Sequence, residues 1–232
     1  MELFDDTENI RDERPINIDI TALYELCIDA FYAALYADMS ELPVKAEIGR
    51  YIEKVKKAGN ITGGKSEKDR AAAAKAASDR GDPDVLIVLK TAARVTTEIH
   101  RLTGMLRFSP DANGTYIARC SPDHFILPAL EYHFTMRFGD TPWAIIDEKR
   151  GLCLFREAGK QARIVPLDDA YSSAGILNNG NSGGKESRGT NDHWEDLWRL
   201  YYRSVNNEAR KNPRLQRQFM PERYQKYLIE LQ

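Results

Sequence analysis

Apolar positions recur along this chain at two different periods, and the change of period divides it. Ile20, Leu23, Tyr24, Cys27, Ile28, Phe31 and Leu35 follow helical spacing after a candidate cap at Asp19. Ile48, Ile52 and Val55 line one face of a second predicted helix over 44–58, which ends at Gly59. The 67–80 stretch includes Ala71 to Ala74, a strong helix former with little to bury, and is expected at the periphery. Gly81-Asp82-Pro83 punctuates. Val85, Leu89, Ala92, Thr96 and Ile99 then align a long helix over 84–103 that stops at Gly104.

After Gly104 the period becomes two. Residues 105–109 and 115–119 flank a turn ending in Asn113-Gly114, a pair that tolerates the positive φ of a tight hairpin. A helix follows within 121–138 and starts or kinks at Pro128. A second hairpin pairs Trp143–Asp147 with Leu152–Phe155 around Glu148-Lys-Arg-Gly151, with Gly151 left-handed, and 162–165 is a candidate fifth strand. Residues 171–192 hold five glycines with Asn and Ser but almost nothing apolar, which predicts a flexible loop. Asp192 caps a helix through Val205, and Asn212-Pro213 and Pro221 start two more. In the last of these Tyr224, Tyr227, Leu228 and Leu231 share the side expected to be core. The expected fold is α+β. Residues 1–104 form a helical half. Residues 105–232 add a small antiparallel sheet of two hairpins with a helix between them and C-terminal helices packed alongside, in one continuous unit.

Composition narrows the function classes. The 232 residues can bury one large core or two small ones, and 42% hydrophobic with 29% charged residues is ordinary for a protein in water. No apolar run approaches the roughly 20 residues that span a bilayer, so no membrane partner is expected. Met1 to Arg14 is acidic, whereas a signal peptide begins basic and turns apolar. Cys27, Cys120 and Cys153 are odd in number and far apart, which fits neither a disulfide framework nor a zinc site and suits a reducing cytoplasm. No metal or cofactor is expected.

Charge is distributed unevenly. The chain carries a formal −2, yet Arg199 to Lys226 holds eight Lys/Arg against Glu208 and Glu222, a local +6. Tyr, Phe, Gln and Asn are interleaved with those cations. Cations hold a phosphate backbone while amides and rings reach bases, so Arg210, Lys211, Arg214, Gln216, Arg217 and Arg223 are candidate nucleic-acid contacts. Arg107, Arg137, Lys149 and Arg150 join them if they face the same groove. The competing reading is a solvated helical face whose arginine stems cover core.

Two constellations could carry chemistry. Gly59-Asn-Ile-Thr-Gly-Gly64-Lys65-Ser66 fits the phosphate-loop pattern, with Trp143-Ala-Ile-Ile-Asp147 as a strand ending in a magnesium-holding carboxylate. That would make a nucleoside-triphosphate hydrolase. The loop, however, requires a preceding buried strand, and 51–58 reads as an amphipathic helix. His133 and Asp147 are candidate acid–base groups for an enzyme acting on a damaged base or nucleotide. The ordinary reading of each is a packing residue.

Two blocks carry a resemblance. The first runs Thr103-Gly-Met-Leu-Arg107-Phe108, Tyr116-Ile-Ala118, Pro122-Asp-His124, His133-Phe134 with Arg137-Phe138, and Trp143-x-Ile-Ile-Asp147-x-Lys149-Arg150-Gly151. The second runs Trp198-x-x-Tyr-Tyr, Glu208-x-Arg210-Lys-Asn212-Pro, Gln216-x-Gln-Phe-Met220-Pro221 and Arg223-Tyr224-x-Lys-Tyr-Leu228. Together they resemble a bacterial family of unknown function, DUF4130, usually described as acting in DNA metabolism or repair. Its members are typically encoded beside a DNA-repair radical-SAM protein, and related domains occur fused to uracil-DNA glycosylase-like modules. The resemblance spans roughly 97–231 and leaves the 59–66 loop outside it. The family often carries Trp where Gln225 stands here. The resemblance implies DNA, damaged or single-stranded, as ligand and a radical-SAM protein as partner; it implies no particular reaction.

Overall fold

The computed structural model describes residues 20–60, 66–111, 113–172 and 192–231, which divide into two units. One unit, 20–100 with 123–126, is helical; the other, 101–122 with 127–231, holds the sheet. Asp19, Lys65 and most of the predicted flexible loop lie outside the described residues.

The helical unit contains α1 (Thr21–Leu26), α2 (Ile28–Asp38), α3 (Lys45–Ala58), α4 (Glu67–Ala77) and most of α5 (Pro83–Met105). The single helix expected over 20–35 is instead broken at Cys27, whose backbone is extended at φ −155° and ψ 103°. Leu23, Ala30, Ala34, Ile48, Tyr51, Ile52 and Val55 form one buried cluster. Helix α4 is not peripheral, as its alanines suggested. Ala73 and Ala77 are buried in that same cluster, and the Tyr51 hydroxyl reaches the Ala77 carbonyl at 3.5 Å. Alanine has little area to bury, but its small size lets the α4 backbone come close to α3.

Local rules set the helix starts. Ser66 caps α4: its hydroxyl accepts the Asp69 N–H at 3.2 Å, and the Asp69 carboxylate accepts the Ser66 N–H at 3.2 Å. The Asp82 carboxylate accepts the Asp84 and Val85 N–H groups at 2.9 and 3.2 Å, and Pro83 opens α5. Arg50 and Lys54 of α3 reach across to Asp84, and their hydrogen bonds hold its carboxyl down at about 2.

The sheet unit contains β1 (Ser109–Pro110), β2 (Tyr116–Cys120), α6 (Leu127–Phe138), β3 (Trp143–Asp147), β4 (Leu152–Arg156), β5 (Arg163–Pro166) and α7 (Leu167–Ser172). The strands lie side by side in chain order. The expected all-antiparallel sheet is corrected here: β2 and β3 pair parallel, Tyr116 beside Trp143 and Cys120 beside Asp147, while the other three pairs are antiparallel. The cause is α6. A helix between neighbouring strands carries the chain back to the end where the first strand began, so the second must run the same way. Helix α5 also passes through Gly104 to Met105, which shortens β1 to two residues.

Strand β3 is buried along its whole length. Trp143 meets Phe134 of α6, and Phe138 of α6, Tyr116 of β2 and Phe108 before β1 complete an aromatic cluster with centroids 4.8–6.4 Å apart. Ala144, Ile146, Cys153 and Phe155 face the other way and pack with Leu167, Ala170 and Tyr171 of α7. All three cysteines are free, and burial pushes the Cys153 thiol up to about 12. Gly151 closes the β3–β4 turn at φ 64°, the left-handed conformation expected of it.

Helix α8 (Asp192–Val205), a 3-10 turn at Glu208–Arg210, α9 (Pro213–Phe219), α10 (Glu222–Gln225) and a last 3-10 turn at Ile229–Leu231 follow. Asn212 caps α9 by accepting the Leu215 N–H at 3.0 Å. Of the four residues expected on the core side of one final helix, Tyr224 and Leu228 are buried and Tyr227 is half-buried, but that helix ends at Gln225 and Leu231 falls in the separate 3-10 turn. Among the described residues no helix is long and apolar enough to cross a membrane.

Candidate nucleic-acid interface

The cations proposed from sequence fall into two groups. Arg150 and Arg107 are tied to carboxylates. The Arg150 guanidinium donates to Asp147 at 2.7 Å and to the Pro122 carbonyl at 3.2 Å, with side chains only 6% and 0% exposed. Asp147 also accepts the Lys149 and Arg150 backbone N–H groups. Its carboxylate thus locks the β3–β4 turn, and neither a substrate nor a magnesium ion could reach it without displacing Arg150. Arg107 pairs with Glu230 at 2.6 Å and sits 5.5 Å from the Trp198 ring centre. Burial would raise the Glu230 carboxyl, but the Arg107 hydrogen bond prevails and holds it below the usual range, with the Trp198 indole adding a further bond.

The second group faces water. Arg210, Lys211, Arg214 and Arg217 are all exposed, and α9 has no buried residue. Arg217 bonds only its own helix among the described residues, donating to the Pro213 carbonyl at 3.3 Å. Gln216 is half-buried on the same helix. Arg223 is exposed and lies over the Tyr224 ring at 4.7 Å. Arg137, at the end of α6, and Lys149, on the β3–β4 turn, are exposed as well.

Sequence reasoning missed the anchors that hold this surface in place. Glu148 accepts the Tyr227 hydroxyl at 2.6 Å, pairs with Lys226 at 3.4 Å and lies 3.8 Å from Arg119. Burial and that hydrogen bond push the Tyr227 phenol up to about 12. Arg199 of α8 donates to the Ile229 carbonyl at 3.1 Å. These contacts link residues far apart in the chain, and only the opposite charges of Glu148 with Lys226 and Arg119 could have hinted at any of them. The β3–β4 turn and α8 thereby clamp the chain end, leaving α9 exposed between clamped segments.

The acid–base candidates are not poised together. His133 is exposed on the outer side of α6, in edge contact with Phe134 at 4.8 Å, while Asp147 is fully buried beside Arg150. Burial raises the Glu131 carboxyl, but Glu131 and His133 are two apart on a helix and do not face each other. Among the described residues no cluster of three His, Cys, Asp or Glu could hold a metal.

The phosphate-loop pattern has ordinary local explanations at both ends. Helix α3 precedes it, where a phosphate loop needs a strand, and Gly59 ends that helix. A Cβ there would stand 2.7 Å from the Leu26 methyls, so close packing explains this glycine. The Ser66 hydroxyl is committed to the α4 cap.

The molecule is thus a mixed α+β chain with a clamped, basic C-terminal surface. A family model described as a domain of unknown function, DUF4130, matches residues 67–230, and the chain belongs to that family. The match begins directly after the glycine-rich loop, so the loop and α1–α3 lie outside it. Neither the curated proteins nor the solved structures provide a match.

Proposed function

We propose that this chain binds nucleic acid through its C-terminal segment and serves DNA metabolism or repair, working with a radical-SAM protein. The observation that carries the reading is the outward placement of Arg210, Arg214 and Arg217, with no ion pair to any of them among the described residues. The carboxylates of Glu148 and Glu230 are meanwhile taken up by Lys226, Tyr227 and Arg107. Exposed positive charge with no carboxylate partner among the described residues suits a polyanion, whose bound counterions are released on contact. The radical-SAM partner is supported by the resemblance in the 103–151 and 198–228 blocks. No observation favours the hydrolase or the base-processing reading, since Asp147 is the carboxylate both need.

The test is fluorescence anisotropy with single- and double-stranded DNA across a salt series. Arg214→Ala with Arg217→Ala should weaken binding and lower the log–log salt slope by roughly one unit per arginine removed. Wild-type protein that binds neither form at low salt would sink the proposal.

A further inference from the structure

We infer that the nucleic acid taken by this surface is single-stranded, its bases stacking on Tyr201 of α8 and Phe219 of α9. The inference rests on the nucleic-acid reading above and narrows its ligand. Tyr201 is 56% and Phe219 58% exposed, although burying an aromatic ring is among the larger gains available to a folding chain. Neither ring stands alone. Leu197, Leu200 and Val205 on α8 are 41%, 63% and 58% exposed, and Leu215, one turn before Phe219, is 49% exposed. Apolar surface of this extent on a water-soluble face marks a binding site.

The surroundings of the rings select the occupant. Arg203 stands on α8 with Tyr201, and Arg214, Arg217 and Gln218 share the short α9 with Phe219; all four are exposed. A single strand offers what this pattern matches, phosphates for the arginines and open base faces for the rings. A duplex hides its base faces inside its own stack, so exposed rings would add nothing to its binding. A second copy of the chain would bring the same +6 segment against itself across a two-fold contact, which like charge opposes. Tyr201 is also held ready. The Trp198 ring lies 5.7 Å away at 34°, and Trp198 is fixed in turn by Arg107 at 5.5 Å and by its bond to Glu230. One side of Tyr201 is backed by the Trp198 ring, itself 38% exposed but tethered through Arg107 and Glu230, so less ordering entropy is lost when a base stacks on the other.

The experiment compares an oligothymidylate, an oligouridylate, a strand of abasic sugars and a duplex, all of one length, by anisotropy. Tyr201→Ala and Phe219→Ala should each weaken binding of the base-bearing strand by about fivefold or more, the lower end for one stacked base. Both should leave duplex and abasic affinities unchanged, and Tyr201→Phe, which keeps the ring, should retain wild-type affinity. Binding of either the deoxy or the ribo strand in this pattern supports the inference, and their ratio shows whether the sugar is read. If wild-type protein binds the abasic strand or the duplex as tightly as the oligothymidylate, stacking is refuted while nucleic-acid binding stands. If it binds none of the four, both readings fall. Sedimentation that finds a dimer dissociated by Tyr201→Ala would assign the face to a second copy and overturn the inference.

Discussion

The β3–β4 turn and helix α9 carry similar side chains into opposite surroundings. In the turn, Arg150 is 6% exposed and its charge is consumed by Asp147 and the Pro122 carbonyl. In α9, Arg214 and Arg217 stand in water, and the helix has no buried residue at all. Both stretches read as basic. What separates them is a neighbouring carboxylate at the end of a fully buried strand. An arginine can be taken out of water only where a partner offsets its desolvation, so Asp147 decides that Arg150 is structural. Among the described residues Arg214 has no such partner and stays available. The comparison also teaches how to weigh a basic patch: charges that the fold has already paired should not be counted toward a ligand.

The contrast can be broken most severely at the turn. Asp147→Ala strands the Arg150 guanidinium in the interior and should cost about 3–5 kcal/mol, measured by denaturant unfolding. A loss below 1 kcal/mol, outside that range, would mean that the pair is not truly buried. Glu230→Gln is expected to cost about 1–3 kcal/mol, because Arg107 loses a charged acceptor in a partly buried place. It carries a pH signature too. Folding holds the Glu230 carboxyl below its ordinary 4.5, so the folded state binds fewer protons than the unfolded one in that range. The stabilisation is complete above that value and drains away as pH falls through the lowered one. Unfolding curves of Glu230→Gln should lack this part of the acid dependence, and an unchanged acid profile would assign it to other carboxylates.

Smaller effects sharpen the other side of the comparison. Tyr227→Phe removes the 2.6 Å bond to Glu148 and should cost about 1 kcal/mol, loosening the chain end without unfolding it. Arg214→Ala with Arg217→Ala should leave stability within about 0.5 kcal/mol of wild type, since neither side chain packs. An early melt of that double variant would place these arginines with Arg150, as structural rather than available.

Much of the molecule was legible without coordinates. Helical spacing located α3 and α5, proline positions located the starts of α6, α9 and α10, and Gly151 announced the turn it occupies. Each is a local rule, in which a residue's own backbone preference or that of its near neighbours sets the outcome. The basic character of 199–226 was equally plain. The break at Cys27 was not, because nothing in the apolar spacing changes there; nor was the packing of α4, because alanine contributes through small size rather than through area.

Tertiary structure alone decided the rest. Whether β2 and β3 run parallel depends on where α6 returns the chain, which no single strand encodes. Arg107 meets Glu230 across 123 positions, and Tyr227 meets Glu148 across 79. Such partners share no period, spacing or motif; they are chosen by the path of the whole chain. Local backbone preferences therefore set most of the elements, and composition set the excess of positive charge. Only the fold determined which cations are spent inside the protein and which remain exposed, because pairing and burial depend on what lies nearby in space.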